Sequence, residues 1–288
     1  MPLLHLEMVS YRYRIRVDPE MALCVVASRL SWPSQWPQLA DFFGKSPTWL
    51  STVFTDTIIF LVHRFNSQLQ WHRQLTYDRM VVISKAIQRV GNINGIWGFI
   101  DGTFWGYCRP HNYEMQGHVY SGHKRAYGSN YQAIVTPDGL VSSLKGPYMG
   151  SANDWSMWLR SGCEDLCRRA IGGHNTLYLY GDPAYHSAYG IMVPFEHPRG
   201  RHYLTDCEKA FNEALSSVQI EVERAFGKTQ SLWTYNAFAK GLRSGSQPTG
   251  AFFIASILLT NCFVCLRYSN TSGGRFSVPP PSVEAYLL

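Results

Sequence analysis

Three acidic residues are placed where they could do chemistry together. Asp101 ends the apolar run Trp97-Gly-Phe-Ile-Asp-Gly-Thr103, and Asp182 ends a second one, Leu177-Tyr-Leu-Tyr-Gly-Asp182. Glu223 sits in the helical pattern of Val222-Glu-Arg-Ala-Phe-Gly227. Carboxylates are hard oxygen donors suited to Mg²⁺ or Mn²⁺. Two such ions roughly 4 Å apart can activate an attacking hydroxyl and stabilise a leaving oxygen at phosphorus. Two strand-end aspartates and a helix-borne glutamate therefore point to metal-dependent phosphoryl transfer. Each acid also has a plainer reading. Asp101 before Gly102 and Asp182 before Pro183 suit turns, and Glu223 beside Arg224 suits a surface ion pair.

The elements that must position these acids follow from periodicity. Continuous apolar runs such as 97–100 and 177–180 read as strands buried on both faces. Between them, Tyr131–Thr136 and Leu140–Leu144 flank the turn Pro137-Asp-Gly139, which predicts a hairpin. With the Asp101 strand this makes a three-stranded meander. Ser151 is a candidate cap for a helix holding Asp154, and a short helix over 163–171 closes at Gly172-Gly173. The span 183–201 reads as irregular, with one short strand at Ile191–Pro194. A helix over 206–233 buries Phe211, Leu215, Val218, Val222 and Phe226, which puts Glu223 on the flank of its apolar stripe. The apolar run 251–266 is short for a membrane span and predicts a helix packed under the sheet.

Residues 1–18, where Arg12, Arg14 and Arg16 alternate with Tyr11, Tyr13 and Ile15, read as a short strand or an extended arm, and the rest of the first 95 residues predict helices. Asp18-Pro19 opens one, Trp36–Gly44 is a second, and Ser46-Pro47 starts a long amphipathic one through Phe65. Helix, tight turn and longer helix over 36–65 is a helix-turn-helix pattern. It equally describes a plain helical hairpin. A fourth helix spans Leu75–Val90, and glycines and asparagines at 91–95 mark a boundary. The expected organisation is a helical module at 1–95, a catalytic domain at 96–268 and a loose Pro/Gly/Ser-rich tail at 269–288.

Composition agrees with a cored protein: 45% hydrophobic and 16% charged residues. The net charge of +6 is unevenly spread. Residues 1–95 carry +4, residues 96–235 carry −1, and residues 236–288 carry +3. Positive flanks around an acidic centre suit a polyanion held over metal ions. Arg109, Lys124, Arg125 and Arg224 are candidates to grip phosphate, and equally ordinary surface charges. Seven scattered cysteines without paired spacing read as reduced thiols. No secretory signal pattern opens the chain, and no Gly-rich phosphate loop follows a strand.

These motifs together carry a resemblance. Ile100-Asp-Gly-Thr103, Tyr120-Ser-Gly-His-Lys-Arg125, Tyr131-Gln-Ala-Ile-Val135, Gly150-Ser-Ala-Asn-Asp154, Gly181-Asp-Pro-Ala-Tyr185, Val193-Pro-Phe195 and Val222–Gly227 stand in order over the chain. In this the sequence resembles the DDE-type nuclease domain of Harbinger/PIF transposases and their domesticated relatives. The resemblance implies a ribonuclease-H-like α/β fold, a mixed sheet flanked by helices, preceded by the small helix-turn-helix-like module. It implies metal binding and catalysis by Asp101, Asp182 and Glu223, with Asp154 in support. It also implies two divalent ions, Mg²⁺ or Mn²⁺, and DNA as substrate. A Myb-like DNA-binding accessory protein would deliver the chain to the nucleus, leaving it in the cytoplasm otherwise. A homo-oligomer is open, and no membrane role is expected. Asn153 stands where the family usually has His. The competing expectation is a catalytically silent descendant that binds DNA or protein.

Overall fold

The structure is a computed structural model. It describes residues 2–172, 177–196, 203–267 and 271–288, with the side chains of 2, 74, 219–222 and 271–273 outside the described set. Gly173, the end of the 183–201 span and the Val222 side chain, all used above, lie outside the described residues or side chains.

The N-terminal helices form for local reasons. Asp18 accepts the N–H groups of Glu20 and Met21 and opens α1 (Pro19–Ser31). The next helix, α2 (Trp36–Phe43), stops at Gly44, whose φ of 62° is the left-handed conformation that ends helices. Ser46 accepts the Trp49 N–H and starts α3 (Pro47–Gln70). This helix continues beyond the expected end at Phe65, where a local break (φ −111°, ψ 17°) bends it without ending it. The single helix expected over 75–90 is two, α4 (Arg73–Tyr77) and α5 (Met80–Gly91). The break coincides with Arg79, which is drawn to Asp138 (2.9 Å) and to the Pro279 carbonyl (2.5 Å). Residues 2–14, expected to be extended, form three short 3₁₀ turns that bury Leu4 and Leu6.

The sheet follows: β1 (Ile96–Gly106), then α6 (Tyr113–Val119), β2 (Tyr120–Ser121), β3 (Ala126–Val135) and β4 (Val141–Tyr148). After α7 (Asp154–Ser161) and α8 (Cys163–Ile171) come β5 (Tyr178–Gly181) and β6 (Ile191–Met192). The spatial order is β4-β3-β1-β5-β6, with β2 pairing the start of β3. The pairs β1–β3 and β3–β4 are antiparallel, while β1–β5 and β5–β6 are parallel. An antiparallel meander joined to parallel strands across its first strand is the ribonuclease-H-like arrangement.

Three helices complete the wrapping: α9 (Asp206–Leu232), α10 (Thr249–Arg267) and the short α11 (Thr271–Phe276), followed by the terminal turn α12 (Val283–Leu287). Thr205 and Glu208 form a reciprocal capping box at the start of α9. Among the described residues α10 alone has the length and apolarity of a membrane span, and 72% of that window is buried inside the molecule. Phe253 of α10 stacks on Trp105 of β1 and packs against Tyr131 of β3. The helix is a core element under the sheet.

The helices before residue 95 share their core with the sheet. Leu61, Phe65, Met80, Ile83 and Ile87 belong to the same buried cluster as Ile96, Phe99 and Ile134. The earlier part of α3 joins α1 and α10 in a second cluster.

The described part of the C-terminal segment corrects the expectation of a loose tail. Phe276, Val278, Tyr286 and Leu287 are buried. His72 contacts the Tyr286 carbonyl oxygen (2.7 Å) and stacks on its ring, while Asn261 donates to the Tyr286 hydroxyl (2.8 Å). A few apolar anchors among the prolines are enough to dock the segment, which average composition does not reveal.

Candidate active site

The parallel pairing of β1 with β5 brings the first two acids together. Ile100 is opposite Gly181, so Asp101 and Asp182 follow side by side. The sequence places both at strand ends, and the structure corrects one of them. Asp182 leaves the sheet at the end of β5, but β1 runs on to Gly106 because β3 pairs with it as far as Gly128. Asp101 is therefore a mid-strand residue whose neighbour on one side has stopped. The rigidity of a central strand and the opening of a strand end coincide at one carboxylate.

Each aspartate is held by main-chain N–H groups. Asp101 Oδ1 accepts the Gly102 N–H (2.8 Å), and Asp182 Oδ1 accepts the Ala184 N–H (3.0 Å). Neither Oδ2 has a hydrogen-bond partner among the described residues.

Asp154 arrives from the first turn of α7. Its cap is Asn153, whose Oδ1 accepts the Ser156 N–H (2.8 Å), not Ser151 as the sequence suggested. The loop before it is tied down by Asn130, whose Nδ2 faces the carbonyl oxygens of Met149, Gly150 and Ala152. Asp154 lies directly over Gly102, in the space a side chain at that position would occupy.

Asp101, Asp154 and Asp182 line one cleft of about 560 Å³, together with Lys124, His123 and Asn130. Burial, then the charges of Asp154, Asp182 and Glu223, push the Asp101 carboxyl up to about 7, against the opposing pull of the Gly102 N–H. Burial and then Asp182 raise Asp154, while Lys124 lowers it. Burial raises Asp182, opposed by the N–H groups of Ala184 and Tyr185. Glu223 is on α9 with an exposed side chain outside the cleft lining, and acts on Asp101 through its charge.

Among the described residues no three His, Cys, Asp or Glu side chains stand close enough together, as placed, to hold one ion. The donor set nevertheless suits a hard divalent cation. It is all carboxylate, its members repel one another, and two carry an uncommitted oxygen.

Of the candidate phosphate contacts, Lys124 lines the cleft. Arg109 does not; its Nε donates to Gln116 (3.0 Å) and its guanidinium lies over the Tyr127 ring. Arg125 follows Lys124 with a left-handed φ of 50°. Arg224 is exposed on α9 next to Glu223.

Residues 100–264, more than half of the chain, match the family model of the DDE superfamily endonucleases. The chain belongs to that family. No curated protein and no solved structure matches it.

In this DDE superfamily endonuclease the matched span starts one residue before Asp101 and ends inside α10, so it contains all four acids and the whole cleft. Sequence reasoning overlooked Asn130, which ties the Asp154 loop to β3, and the buried contact between Gln132 and Tyr185. The available signal was a pair of polar side chains, Asn130 and Gln132, in a strand that is otherwise apolar from Tyr131 to Val135. A buried strand keeps such residues only where their hydrogen bonds are needed.

Proposed function

We propose that this DDE superfamily endonuclease is a metal-dependent DNA nuclease derived from a Harbinger/PIF-type transposase. The observation that carries the reading is Asp101 beside Asp182 where β5 stops and β1 continues. Asp101, Asp182 and Glu223 are the proposed metal-binding and catalytic acids, and Asp154 supports them. When bound, two Mg²⁺ or Mn²⁺ ions supply the Lewis acidity for attack on a phosphodiester and for departure of the leaving oxygen.

The chain's own residues do the rest. Asp101, on the central strand, offers Oδ2 from a position that two main-chain ladders hold still. Asp182 offers its own from a turn braced by the Ala184 N–H. Lys124, which lines the cleft with the acids, attracts the phosphate, with Arg125 and Arg224 as outer contacts; Arg109 is better placed to shape the α6 loop. The positive flanks of the chain favour a polyanion. The substrate is DNA, and the helix pair α2–α3 is a candidate groove or partner contact. A Myb-like accessory protein for nuclear delivery, and self-association on the DNA, complete the proposal.

A second reading, a silent descendant that binds DNA or protein, is favoured by one observation: Glu223 is exposed and outside the cleft. The two are separated by metal-dependent nicking of supercoiled DNA by the wild type, Asp101→Ala, Asp182→Ala and Glu223→Gln. The nuclease reading expects nicking by the wild type alone, and equal activity in all four proteins would sink it.

A further inference from the structure

Behind the cleft is a buried polar pair with no part in the chemistry just described. Gln132 of β3 is 1% exposed. Its Nε2 donates to the Tyr185 hydroxyl (3.1 Å) and to the Asp154 carbonyl oxygen (3.3 Å). Its Oε1 is buried without a partner among the described residues. Tyr185 is also 1% exposed, and its N–H donates to the Asp182 carbonyl oxygen (3.1 Å).

The sheet register explains how one ring reaches both acids. Gly181 is opposite Ile100, and Gly102 is opposite Gln132. Cross-strand partners and alternate residues of a strand share one face. Gly181, Ile100, Gly102 and Gln132 therefore form a row across β5, β1 and β3. The Tyr185 ring lies on that row: a side chain at Gly181 would come within 2.9 Å of its Cδ2. One end of Tyr185 is tied to the Asp182 turn. The other meets Gln132, which also holds the first residue of α7.

Packing alone does not account for this pair. A buried amide with an orphaned oxygen costs about 1–3 kcal/mol relative to a satisfied one, and an apolar residue at 132 would avoid that cost. What the amide adds is a fixed distance between two separate turns. We propose that Gln132 and Tyr185 are positioning residues, a lock that sets Asp154 and Asp182 against β1. The lock stands on geometry, and its consequence for catalysis rests on the nuclease reading above.

The test uses the full chain with Tyr185→Phe, Gln132→Met and the double variant. Tyr185→Phe keeps the ring over Gly181 and removes only the hydroxyl. Hydrogen exchange is followed in the metal-free proteins at peptides covering 150–158 and 181–186. Each single variant is expected to speed exchange in both segments. Mn²⁺ affinity, read by thermal shift, and kcat for nicking are each expected to fall about 10-fold, with KM for DNA unchanged. The double variant is expected to be no worse than either single one, because paired residues are not additive. A merely structural role would lower the melting temperature without coupling the two distant segments. Unchanged exchange in either segment, or additive effects in the double variant, overturns the lock. The readings fail separately: a wild type that neither binds Mn²⁺ nor nicks DNA overturns the nuclease reading, while metal-free exchange decides the lock.

Discussion

The Asp154 carboxylate occupies the space that a side chain on residue 102 would fill, so Gly102 and Asp154 are one feature in two places. The Ile100-Asp-Gly-Thr103 motif needs its glycine because an acid from another element closes over it. A methyl group there would also come within 3.0 Å of the Met157 side chain.

Gly102→Ala is accordingly expected to push Asp154 out of the cleft. Overpacking of this kind costs about 1–3 kcal/mol, and the Mn²⁺-induced rise in melting temperature should be lost. Thermal denaturation with and without Mn²⁺ checks both. A variant that keeps full Mn²⁺ stabilisation would show that Asp154 has no part in the site.

The Asp101 carboxyl gives a pH signature. Its folded value of about 7 lies above the ordinary 3.8, so between these values the folded, metal-free protein retains a proton that the unfolded chain has lost. The corresponding stability is fully present below about 4 and is lost as pH rises through about 7. Asp101→Asn keeps an acceptor for the Gly102 N–H and carries no charge. It is expected to stabilise the metal-free protein at pH 8 by about 1–2 kcal/mol, after allowance for solvent screening, while abolishing Mn²⁺ binding. Denaturant melts at pH 4.5 and pH 8 measure this, and equal wild-type stability at both would contradict it.

Metal affinity should run the other way with pH. A cation must displace the Asp101 proton, so Mn²⁺ binding to the wild type is expected to tighten as pH rises through about 7. Calorimetry in buffers of different ionisation enthalpy counts the protons released. Binding without proton release would place the ion away from Asp101.

Glu223 separates catalysis from stability. Its side chain is exposed, and substitutions at such positions usually change stability by less than about 0.5 kcal/mol. Glu223→Gln is expected to melt like the wild type yet lose at least 100-fold in nicking, as expected for a lost charge-stabilising group. Undiminished nicking would remove Glu223 from the catalytic set and leave Asp154 as the third acid.

Arg79 provides a test of the fold alone. Asp138 is fully buried in the β3–β4 turn, and Arg79 is its ion-pair partner at 2.9 Å. Removing one partner of a buried pair costs about 3–5 kcal/mol. Arg79→Ala should therefore lower stability by that order, with the C-terminal segment loosened through the lost Pro279 contact. Urea melts report the first effect, and faster hydrogen exchange at 277–287 the second.

Much of the architecture was legible in the sequence because its signals are local. Asp18-Pro19, Gly44 and Ser46-Pro47 announce helix ends through their own backbone chemistry, and all three do so in the structure. The apolar runs at 97–100 and 177–180 announce buried strands, and both form in the structure. Register, and everything that depends on it, was not local. That β1 continues past Asp101 follows from β3 pairing as far as Gly128, and no window around Asp101 contains that information. That Tyr286 docks the C-terminal segment depends on His72 and Asn261, far away in the chain. Local patterns along the chain were enough to reveal which residue types could do the chemistry and on what kinds of elements they ride. Which acids share a cleft emerges at the level of the folded chain, because closing β5 against β1 and laying α7 over Gly102 are non-local contacts.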